Sequence, residues 1–488
     1  MIRRRNMAAV VVASLVMAAC SSDSETAHTT ATTTPAAATE TSAATTTEAL
    51  ATSEPAAAET TATGATDATD ATAATEATSA TSAAETAPPE TNAAPAADEV
   101  CGLGTGQPAS GDPIKIGAIT TQIPGVDLSA GPGGAKAYFD CVNDNGGING
   151  RPIEFIVEND QLDPGAAAAA GKKLVESDNV VLLAGGVSIL DCALNGAYYA
   201  EQGFNVITGG VGAACFGLPH IAPVNGGPAY SGQFGAQYVA SQGATGKIVM
   251  VAPKVPGVEY FSSAAQTWAL ANGFEYEAIY PDTPVQDGAA VALDAVTRAG
   301  EGGGVIVSGS PQDSATILQA AAEQGLIDDV HWAAGASAQD ISLVEALGPE
   351  WDGKVGVDAE VADVNGDAPD IALYREVMGK YGGDVAIGAF SAFGYLMAEI
   401  AVDAMLGIDG DVTKESANAA LKAVAGYTSD FLCKPFYFGE SDLHLANNSQ
   451  RILTPDGDVF AAVTDCIPLD PVDDVVKAVY AYEEANGV

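Results

Sequence analysis

The sequence predicts an α/β fold of two doubly wound parallel-sheet lobes that are joined by a three-segment hinge. Short apolar runs alternate with segments of helical apolar spacing from residue 114 onward, which is typical of parallel sheets with crossover helices. The same plan of strand, loop and helix repeats after residue 247. Because the part after residue 100 is longer than one hydrophobic core usually grows, we expect two lobes.

The first βαβ unit sets the plan. Residues 114–119 form a short apolar run that predicts a buried strand, and residues 120–131 form a polar loop with Gly and Pro. Residues 132–143 have helical apolar spacing, and residues 153–157 are a second apolar run. Ligands of open parallel sheets bind at the carboxyl ends of the strands, so the loop 120–131 is a candidate ligand loop.

Two neighbouring motifs then identify a family resemblance. Residues 145–153 read NGGINGRPI and residues 158–164 read ENDQLDP. Together with their spacing from the first strand, they resemble the opening of type I periplasmic binding proteins, the branched-chain amino-acid and amide receptors of ABC importers. The resemblance implies a monomer that binds a small solute between its lobes without chemistry and delivers it to a transporter permease.

The N-terminal segment predicts export. Three arginines precede an apolar run at residues 8–16 that is too short to remain a membrane span. Residues 16–20, VMAAC, resemble a lipobox, which implies that Cys20 is lipidated and anchors the chain on the outer face of the cytoplasmic membrane. Residues 21–100 are rich in Ala and Thr without a periodic apolar face, so we expect a disordered tether.

The remaining first-lobe elements follow in order. Residues 165–176 predict a helix, and the next two strands are 180–183, with exit loop 185–188, and 204–207, with exit loop 208–212. A helix at 189–203 lies between those strands. The first crossing between lobes is expected at residues 221–227, where no period is clear.

The second lobe repeats the pattern with four more strands. They are expected at 247–251, 274–280, 304–307 and 331–334, with helices at 230–242, 261–272, 288–300 and 312–324. Residues 355–361 are expected to return to lobe 1, whose later helices are 369–381 and 389–405. Residues 434–438 are the expected third crossing, and residues 451–463 predict a hairpin.

The predicted organisation therefore has seven segments. They are a lipoprotein signal peptide (1–20), the tether (21–100), the first part of lobe 1 (101–225), the first part of lobe 2 (226–357), the second part of lobe 1 (358–433), the return strands of lobe 2 (434–470) and a C-terminal segment (471–488).

Six cysteines besides Cys20 predict disulfides, because their number is even and the chain is exported. Six cysteines allow 15 pairings. Order along the chain favours the pairs Cys101–Cys141, Cys192–Cys215 and Cys433–Cys466. No pair has the CxxC spacing of a zinc or redox site.

Charge and motifs exclude several function classes. The chain has 63 Asp and Glu against 19 Lys and Arg, a net charge of −44, which repels nucleic acid and anionic lipid. The four histidines lack metal-ligand spacing, and neither a GxSxG elbow nor an HExxH motif is present. Residues 363–367 resemble the start of a calcium loop, but the Gly comes too early. We therefore expect no catalytic residue, metal or cofactor.

Candidate ligand residues come from the exit loops. Ser188 opens a helix after a strand and could hold a carboxylate or amide oxygen, although a plain helix cap explains it equally well. Gly210 and Gly212 would let backbone approach a ligand, or would only form a tight turn. The full predicted set is Thr121, Gln122, Ser188, Ile189, Gly210, Val211, Gly212, Pro256, Tyr260, Ser310, Ala336 and Gln339.

The resemblance implies specific roles that this chain matches unevenly. In amino-acid-binding relatives, first-lobe hydroxyls hold the ligand carboxylate, a second-lobe acid holds the ammonium group and an aromatic side chain covers the ligand. Here Gly212 stands where a second hydroxyl is common, Pro256 where the aromatic is common (with Tyr260 as a substitute) and Ala336 where the acid is expected, with Gln339 and Asp340 near it. The departures count against an α-amino acid and leave amides, acids and other small polar solutes open.

Two other functions are compatible with this sequence. One is a ligand-sensing surface module that signals to a membrane partner, which a neighbouring kinase or chemoreceptor gene would favour. The other is an exported hydrolase, which the lack of a recognisable nucleophile–base pair disfavours.

Overall fold

The computed structural model describes residues 101–488, so the predicted signal peptide, the predicted lipidation site Cys20 and the predicted tether lie outside the described residues. The strands, in chain order, are β1 (Ile114–Thr120), β2 (Gln122–Ile123), β3 (Val126–Asp127), β4 (Ile153–Asn159), β5 (Leu182–Ser188), β6 (Val206–Gly210), β7 (Ile221–Pro223), β8 (Lys247–Val251), β9 (Glu275–Ile279), β10 (Gly304–Val307), β11 (His331–Ala334), β12 (Val355–Ala359), β13 (Ser449–Asp456), β14 (Val459–Ala462) and β15 (Ile467–Pro468).

The helices surround these strands. They are α1 (Ala130–Asp144), α2 (Pro164–Lys172), α3 (Asp191–Glu201), α4 (Ala213–Phe216), α5 (Gly227–Ser241), α6 (Ser263–Ala271), α7 (Gly288–Ala299), α8 (Pro311–Glu323), α9 (Ile341–Ala346), α10 (Pro369–Tyr381), α11 (Ala389–Leu406), α12 (Lys414–Lys422) and α13 (Asp474–Asn486). Local chemistry fixes several starts. Asp163 and Ser310 cap α2 and α8 with their side chains, and each is followed by a proline at the first helical position.

The first lobe is built on a five-stranded sheet in the order β4-β1-β5-β6-β7, and all of its strand pairs are parallel. Helices α1 and α11 pack on this sheet and α10 packs on α1, in a core that includes Tyr138, Phe139, Tyr374 and Tyr395. Side chains near α2 and α3, such as Leu174 and Tyr199, belong to a different core cluster. Helices therefore cover both faces, as the doubly wound prediction requires.

The second lobe is built on a sheet in the order β9-β8-β10-β11-β12-β13-β14, with β15 added beside β13. Strands β8 to β12 are parallel, whereas β13 and β14 form an antiparallel hairpin that returns along β12. Helices α5 and α6 pack on one side, and α7 and α8 contribute to a separate core around Trp332 and Trp351. The predicted two-lobe α/β fold is confirmed.

Two first-lobe strands run further than the sequence indicated. The predicted exit loop 185–188 is part of β5, and most of 208–212 is part of β6, because Val187 and Ser188 pair with Gly209 and Gly210. Gly185 has φ +85° and marks a bulge within the ladder without ending the strand. The predicted loop 120–131 likewise contains a small hairpin, β2–β3.

Three chain segments cross between the lobes and meet at Asn447. The side-chain nitrogen of Asn447 donates to the carbonyl oxygen of Val224 (3.1 Å) and to that of Glu360 (2.7 Å), so one amide joins all three crossings. The first two predicted crossings are too long, since residues 221–223 form β7 and residues 355–359 form β12.

The predicted third crossing at residues 434–438 is wrong. Phe436 exchanges backbone hydrogen bonds with Tyr427, and Phe436, Tyr437 and Phe438 lie in the core of the first lobe. The chain crosses later, next to Asn447. The aromatic residues of 434–438 can bury their rings only inside a core, which explains why this segment stays within the first lobe.

Close packing of α1 on α11 determines where the second helix points. A Cβ atom at Gly134 would collide with the backbone oxygen of Ser391, and one at Gly394 would collide with that of Gly131. The glycines thus allow the two helix backbones to touch. Helix α11 is long and apolar enough to span a membrane, but 78% of it is buried in the first lobe, as expected of a core helix.

Three disulfides form in the order that the sequence favoured. They join Cys101 to Cys141, Cys192 to Cys215 and Cys433 to Cys466, with Cα–Cα distances of 5.8, 5.2 and 5.6 Å. The first two lie within the first lobe. The third joins the segment after Leu432 of the first lobe to the segment before β15 of the second, beside the third crossing.

Candidate functional site

A cavity of about 120 Å³ lies between the lobes at the carboxyl edges of both sheets. Residues of three groups line it. The first lobe contributes Gly125, Val126, Asp127, Leu128, Ile189, Gly210, Val211, Phe390 and Phe393; the second lobe contributes Pro228, Ser231, Pro253, Val255, Phe261, Thr283, Ser308, Gly309, Ser310, Pro311, Ala336 and Ser337; and the hinge region contributes Asn225, Gly227 and Glu360.

The lobes touch on two sides of this cavity. On one side the Thr283 hydroxyl lies 3.1 Å from the carbonyl oxygen of Gly125, at the tip of the β2–β3 hairpin. On the other side the backbone N–H of Ala389 donates to the carbonyl oxygen of Gln339 (2.9 Å), and Asp340 bridges to Gly388. The lobes are therefore in direct contact on two sides of the cavity.

Two buried carboxyl groups stand together where the second crossing leaves β12. Asp358 and Glu360 are 0% and 3% exposed and lie two residues apart, on one face of the chain. Burial raises the pKa of Glu360 to about 7, although hydrogen bonds from Gly227 and Asn225 act to lower it. Burial and the neighbouring Glu360 raise the pKa of Asp358 well above its ordinary value. Because the pKa of Glu360 is about 7, the charge of this side chain depends on pH near neutrality. Glu360 lines the cavity, so the charge of the cavity wall depends on pH as well.

Glu360 is held by the first crossing. Its Oε1 accepts a hydrogen bond from the backbone N–H of Gly227 (2.5 Å), the first residue of α5, and its Oε2 lies 3.4 Å from the Asn225 side-chain nitrogen. Asn225 in turn binds both the N–H and the carbonyl oxygen of Gly210 (2.7 and 3.1 Å). The hinge, β6 and Glu360 thus form one connected polar network at the cavity wall.

Asp127 is the second carboxylate in the lining. Partial burial acts to raise its pKa, but hydrogen bonds from Ser129 and Gln122 lower the pKa below its ordinary value. Asp127 is therefore ionised at neutral pH. No Lys, Arg or His of the described chain lines the cavity.

The first-lobe hydroxyls predicted to meet the ligand are already occupied. Ser188 Oγ and Thr121 Oγ1 both donate to Oδ2 of Asp160, at 2.5 and 2.8 Å. Asp160 is fully buried, and its other oxygen accepts the N–H of Leu162. Ser188 Oγ also accepts the N–H of Asp191 at the start of α3 (2.9 Å), so the helix-cap alternative describes its contact. Neither hydroxyl lines the cavity.

Five of the twelve predicted ligand residues line the cavity, and these are Ile189, Gly210, Val211, Ser310 and Ala336. The structure places the other seven outside the lining, and these are Thr121, Gln122, Ser188, Gly212, Pro256, Tyr260 and Gln339. Pro256 is exposed, whereas the preceding Val255 lines the cavity, because neighbouring side chains of this loop point in different directions. Gln339 holds the second crossing through the carbonyl oxygen of Val361 (2.9 Å).

Tyr260, proposed as the aromatic cover, is turned away. Its ring packs near Phe216, with 6.4 Å between ring centroids. Its hydroxyl is buried without a hydrogen-bond partner among the described residues, and burial raises its pKa well above the ordinary value. Aromatic cover of the cavity comes instead from Phe261, Phe390 and Phe393.

Sequence reasoning missed several lining residues. Glu360 could have been noticed, since Asp358 and Glu360 interrupt an otherwise apolar strand and buried carboxyl groups cluster at functional sites. Phe390 and Phe393 lead a long apolar helix, where aromatic residues usually indicate only core. Their approach to the cavity follows from the glycine contact between α1 and α11, which the sequence pattern does not show.

Most of the lining consists of apolar and uncharged polar residues. The described residues contain no group of His, Cys, Asp and Glu placed to hold a metal ion. The cavity offers an apolar wall with a few hydroxyls, an amide and two carboxyl groups, a pattern typical of small-molecule sites.

Comparison with known proteins agrees with the fold. The sequence model of the family described as periplasmic binding protein matches residues 113–454. No curated protein sequence matches the chain. Among solved structures, a branched-chain amino acid ABC transporter protein from Thermus thermophilus with bound valine is similar over 75% of this chain and 99% of its own, at 18% identity and a TM-score of 0.65.

Two further structures extend the comparison. A fatty acid ABC transporter substrate-binding protein from Thermomonospora curvata matches over 76% of this chain and 95% of its own, at 19% identity and a TM-score of 0.63. A solute-binding protein of an ABC transporter from R. palustris, in complex with benzoate, matches over 75% of this chain and 99% of its own, at 17% identity and a TM-score of 0.61.

Proposed function

The chain belongs to the periplasmic binding protein family, and from that premise we propose that it captures a small organic solute outside the cytoplasm and presents it to the permease of an ABC importer. Members of this family bind solutes without chemistry, which supports binding without turnover here. The solute would leave chemically unchanged. The chain would act as a monomer, which light scattering after size exclusion tests.

One observation carries the proposal. The cavity is walled by both lobes and by the hinge, so a bound solute would contact the two lobes at once. Such a solute stabilises the closed arrangement only to the extent that it binds the closed state better than the open one. Closure would then report occupancy to a membrane partner.

We further propose that the lipidated Cys20 anchors the protein on the outer face of the cytoplasmic membrane, with residues 21–100 as a tether. The export signal and the lipobox-like VMAAC support this proposal. Labelling of cells with palmitate should mark the wild-type protein and fail to mark Cys20→Ala. Equal labelling of both proteins would remove the anchor from the proposal.

Binding is tested with the full-length chain purified in detergent. A screen of amino acids, amides, alcohols, amines and small carboxylic acids by thermal shift should give at least one solute that raises the melting temperature, because a ligand of the native state stabilises it by linkage. Small-angle scattering should show compaction with the same solute. Conversion of the solute to a product would overturn the binding-only proposal.

Import is tested in cells. Deletion of the gene should abolish uptake of the radiolabelled solute found in the screen, and a copy encoding the wild-type chain should restore it. If uptake is unchanged while binding is retained, the importer role is wrong.

A further inference from the structure

We propose that the solute is largely apolar, carries no carboxylate or other anionic group, and presents a hydrogen-bond donor of an alcohol, amide or amine to Glu360. This inference rests on the proposed solute-binding function and narrows its substrate class. It departs from the expectation that first-lobe hydroxyls hold a ligand carboxylate.

The first reason is that the chain's own carboxylates occupy the positions where an anion would bind. Asp160 takes the donor hydrogens of both Thr121 and Ser188. Glu360 takes the N–H of Gly227 at the start of α5. Helix N-termini and paired hydroxyls are the usual anion sites of such loops, and here they are already satisfied.

Helix α8 shows the same arrangement on the second lobe. Asp313 stands in its first turn, where it accepts hydrogen bonds from the Thr283 hydroxyl (2.6 Å) and the N–H of Val285 (2.7 Å). Its carboxylate occupies the positive end of the helix dipole beside the cavity residues Ser310 and Pro311. An anionic solute would meet a like charge here as well.

The second reason is the charge of the lining. Asp127 and Glu360 are the titratable side chains in it, and the lining includes no cationic side chain. A carboxylate enclosed between these groups would lose its hydration without gaining a counter-charge, which is costly. The arrangement discriminates against anions by leaving them unpaired.

The third reason is the apolar wall. Half of the 24 lining residues are apolar, and these include Val211, Val255, Phe261, Phe390 and Phe393. An engineered apolar cavity of about 150 Å³ holds benzene. The present cavity, about 120 Å³, is of the same order, so it suits one ring or a short branched chain.

The fourth reason is that one carboxylate oxygen of Glu360 has only a weak hydrogen bond from the chain. Glu360 Oε2 has only a 3.4 Å contact to Asn225, close to the limit for a hydrogen bond. A donor on the solute can complete it. Ser308 in the lining offers a further hydroxyl from the second lobe.

The experiment compares probes of one shape that differ only in the polar group. The first series is benzoate, benzamide, benzyl alcohol and benzylamine, and the second is isovalerate, isovaleramide, isoamyl alcohol and isoamylamine. Calorimetry with the full-length chain at pH 8 should find an amide, alcohol or amine that binds at least tenfold tighter than the carboxylate of its series. Tightest binding by a carboxylate, or no binding by any amide, alcohol or amine, overturns the inference.

A variant tests the role of Glu360. Glu360→Gln should weaken the affinity for the amine about tenfold, change the affinity for the alcohol less than threefold and strengthen any binding of the carboxylate. Glu345→Gln, at an exposed position of the second lobe, is the matched control and should leave every affinity unchanged. Identical affinities in Glu360→Gln and the wild type would remove Glu360 from the recognition of the solute.

Failure of this inference is distinguishable from failure of the proposed function. If α-amino acids, sugars or carboxylates bind and close the lobes while the uncharged and amine probes do not, the inference is wrong and the solute-binding function stands. If no member of any class binds, both are wrong.

Discussion

The two lobes share one architecture but differ in how many of the hydroxyls at their sheet edges reach the cavity. In the first lobe, the hydroxyls of Thr121 and Ser188 turn onto the buried Asp160 and do not reach the cavity. In the second lobe, Ser308, Ser310 and Ser337 line the cavity, although the hydroxyls of Ser310 and Ser337 also bond to the backbone of Asp313 and Gly309. A buried carboxylate such as Asp160 can therefore withdraw a hydroxyl that follows a strand from the cavity.

The lobes also differ in covalent reinforcement. Two disulfides lie within the first lobe, and the described part of the second lobe has no disulfide confined to it. A disulfide stabilises chiefly by restricting the unfolded chain. The first lobe thus combines an apolar core with two cross-links, whereas the second depends on apolar packing alone, around Trp332 and Trp351.

The substitution with the largest expected effect is Asp160→Ala, which tests whether Asp160 stabilises the first lobe. The substitution removes a carboxylate that accepts three hydrogen bonds and leaves two buried hydroxyls without their acceptor. We expect the free energy of unfolding of the first lobe to fall by about 4 kcal/mol, measured by urea titration and localised by hydrogen exchange. Glu154→Ala, at an exposed position of β4, should change it by less than about 0.5 kcal/mol. Equal effects would show that Asp160 is not the centre of the first-lobe network.

Removal of the Cys192–Cys215 bond tests whether the disulfides of the first lobe stabilise that lobe alone. The double substitution to alanine should lower the free energy of unfolding by about 3 kcal/mol. Amide exchange should accelerate in β6 and β7, with strands β8 and β10 of the second lobe unchanged. Faster exchange in both lobes to the same extent would contradict a local role.

A third test is how the free energy of unfolding depends on pH through the two buried carboxyl groups of the hinge. Burial raises the folded-state pKa of Glu360 to about 7 and raises that of Asp358, so the folded state holds protons that the unfolded state has released. Stability is therefore greatest below the unfolded pKa of about 4.3 and falls as pH rises towards 7. Between pH 5 and pH 8 we expect a loss on the order of 2 kcal/mol.

The substitution Glu360→Gln should reduce the slope of this profile, because glutamine does not ionise; the remaining slope comes from Asp358 and from the buried Asp191 and Glu399, whose pKa values burial also raises. Urea unfolding at several pH values measures the slope, with Glu345→Gln as the control that retains it. An unchanged slope in Glu360→Gln would assign the pH dependence to other carboxyl groups.

The smallest expected effect concerns contact between the lobes. A Cβ at Gly125 would lie 2.5 Å from Cδ of Pro284 on the opposite lobe, so Gly125→Ala should hinder closure and weaken solute affinity about tenfold, or about 1.4 kcal/mol. Gly203→Ala is matched to it, since Gly203 also has a positive φ but faces open space. Affinity should be unchanged in Gly203→Ala. Equal losses in the two variants would mean that backbone strain, and not contact between the lobes, is responsible.

Much of the fold could be predicted because hydrophobic period and punctuation are local. Strands β8, β10 and β11 and helix α10 begin and end where the pattern indicated. The predicted strand ends were wrong where a glycine forms a bulge within a strand and does not end the strand. Gly185 and Gly186 predicted a loop but form a bulge within β5, whose remaining residues still pair with β6. The third crossing was misplaced because residues 434–438 carry no local sign of which core buries their rings.

The candidate site was less predictable than the fold. The sheet edge that carries the cavity was located, although parts of two predicted exit loops are strand, and Ile189, Gly210, Val211, Ser310 and Ala336 line the cavity. Whether a loop side chain faces the cavity depends on rotation by a single residue, as Val255 and Pro256 illustrate. Glu360 and Phe390 line the cavity but lie far along the sequence from most of the other lining residues.

The sequence by itself determined the order of strands and helices, the duplication of the lobe plan and the cysteine pairs, because each depends on residues that are close along the chain or on their spacing. Only the tertiary structure decided which polar groups meet a solute. Asp160 comes within hydrogen-bond distance of Thr121 and Ser188, and Glu360 of Gly227, through pairing of distant segments. Electrostatic complementarity acts over a few ångströms in space, so chain order does not encode it directly.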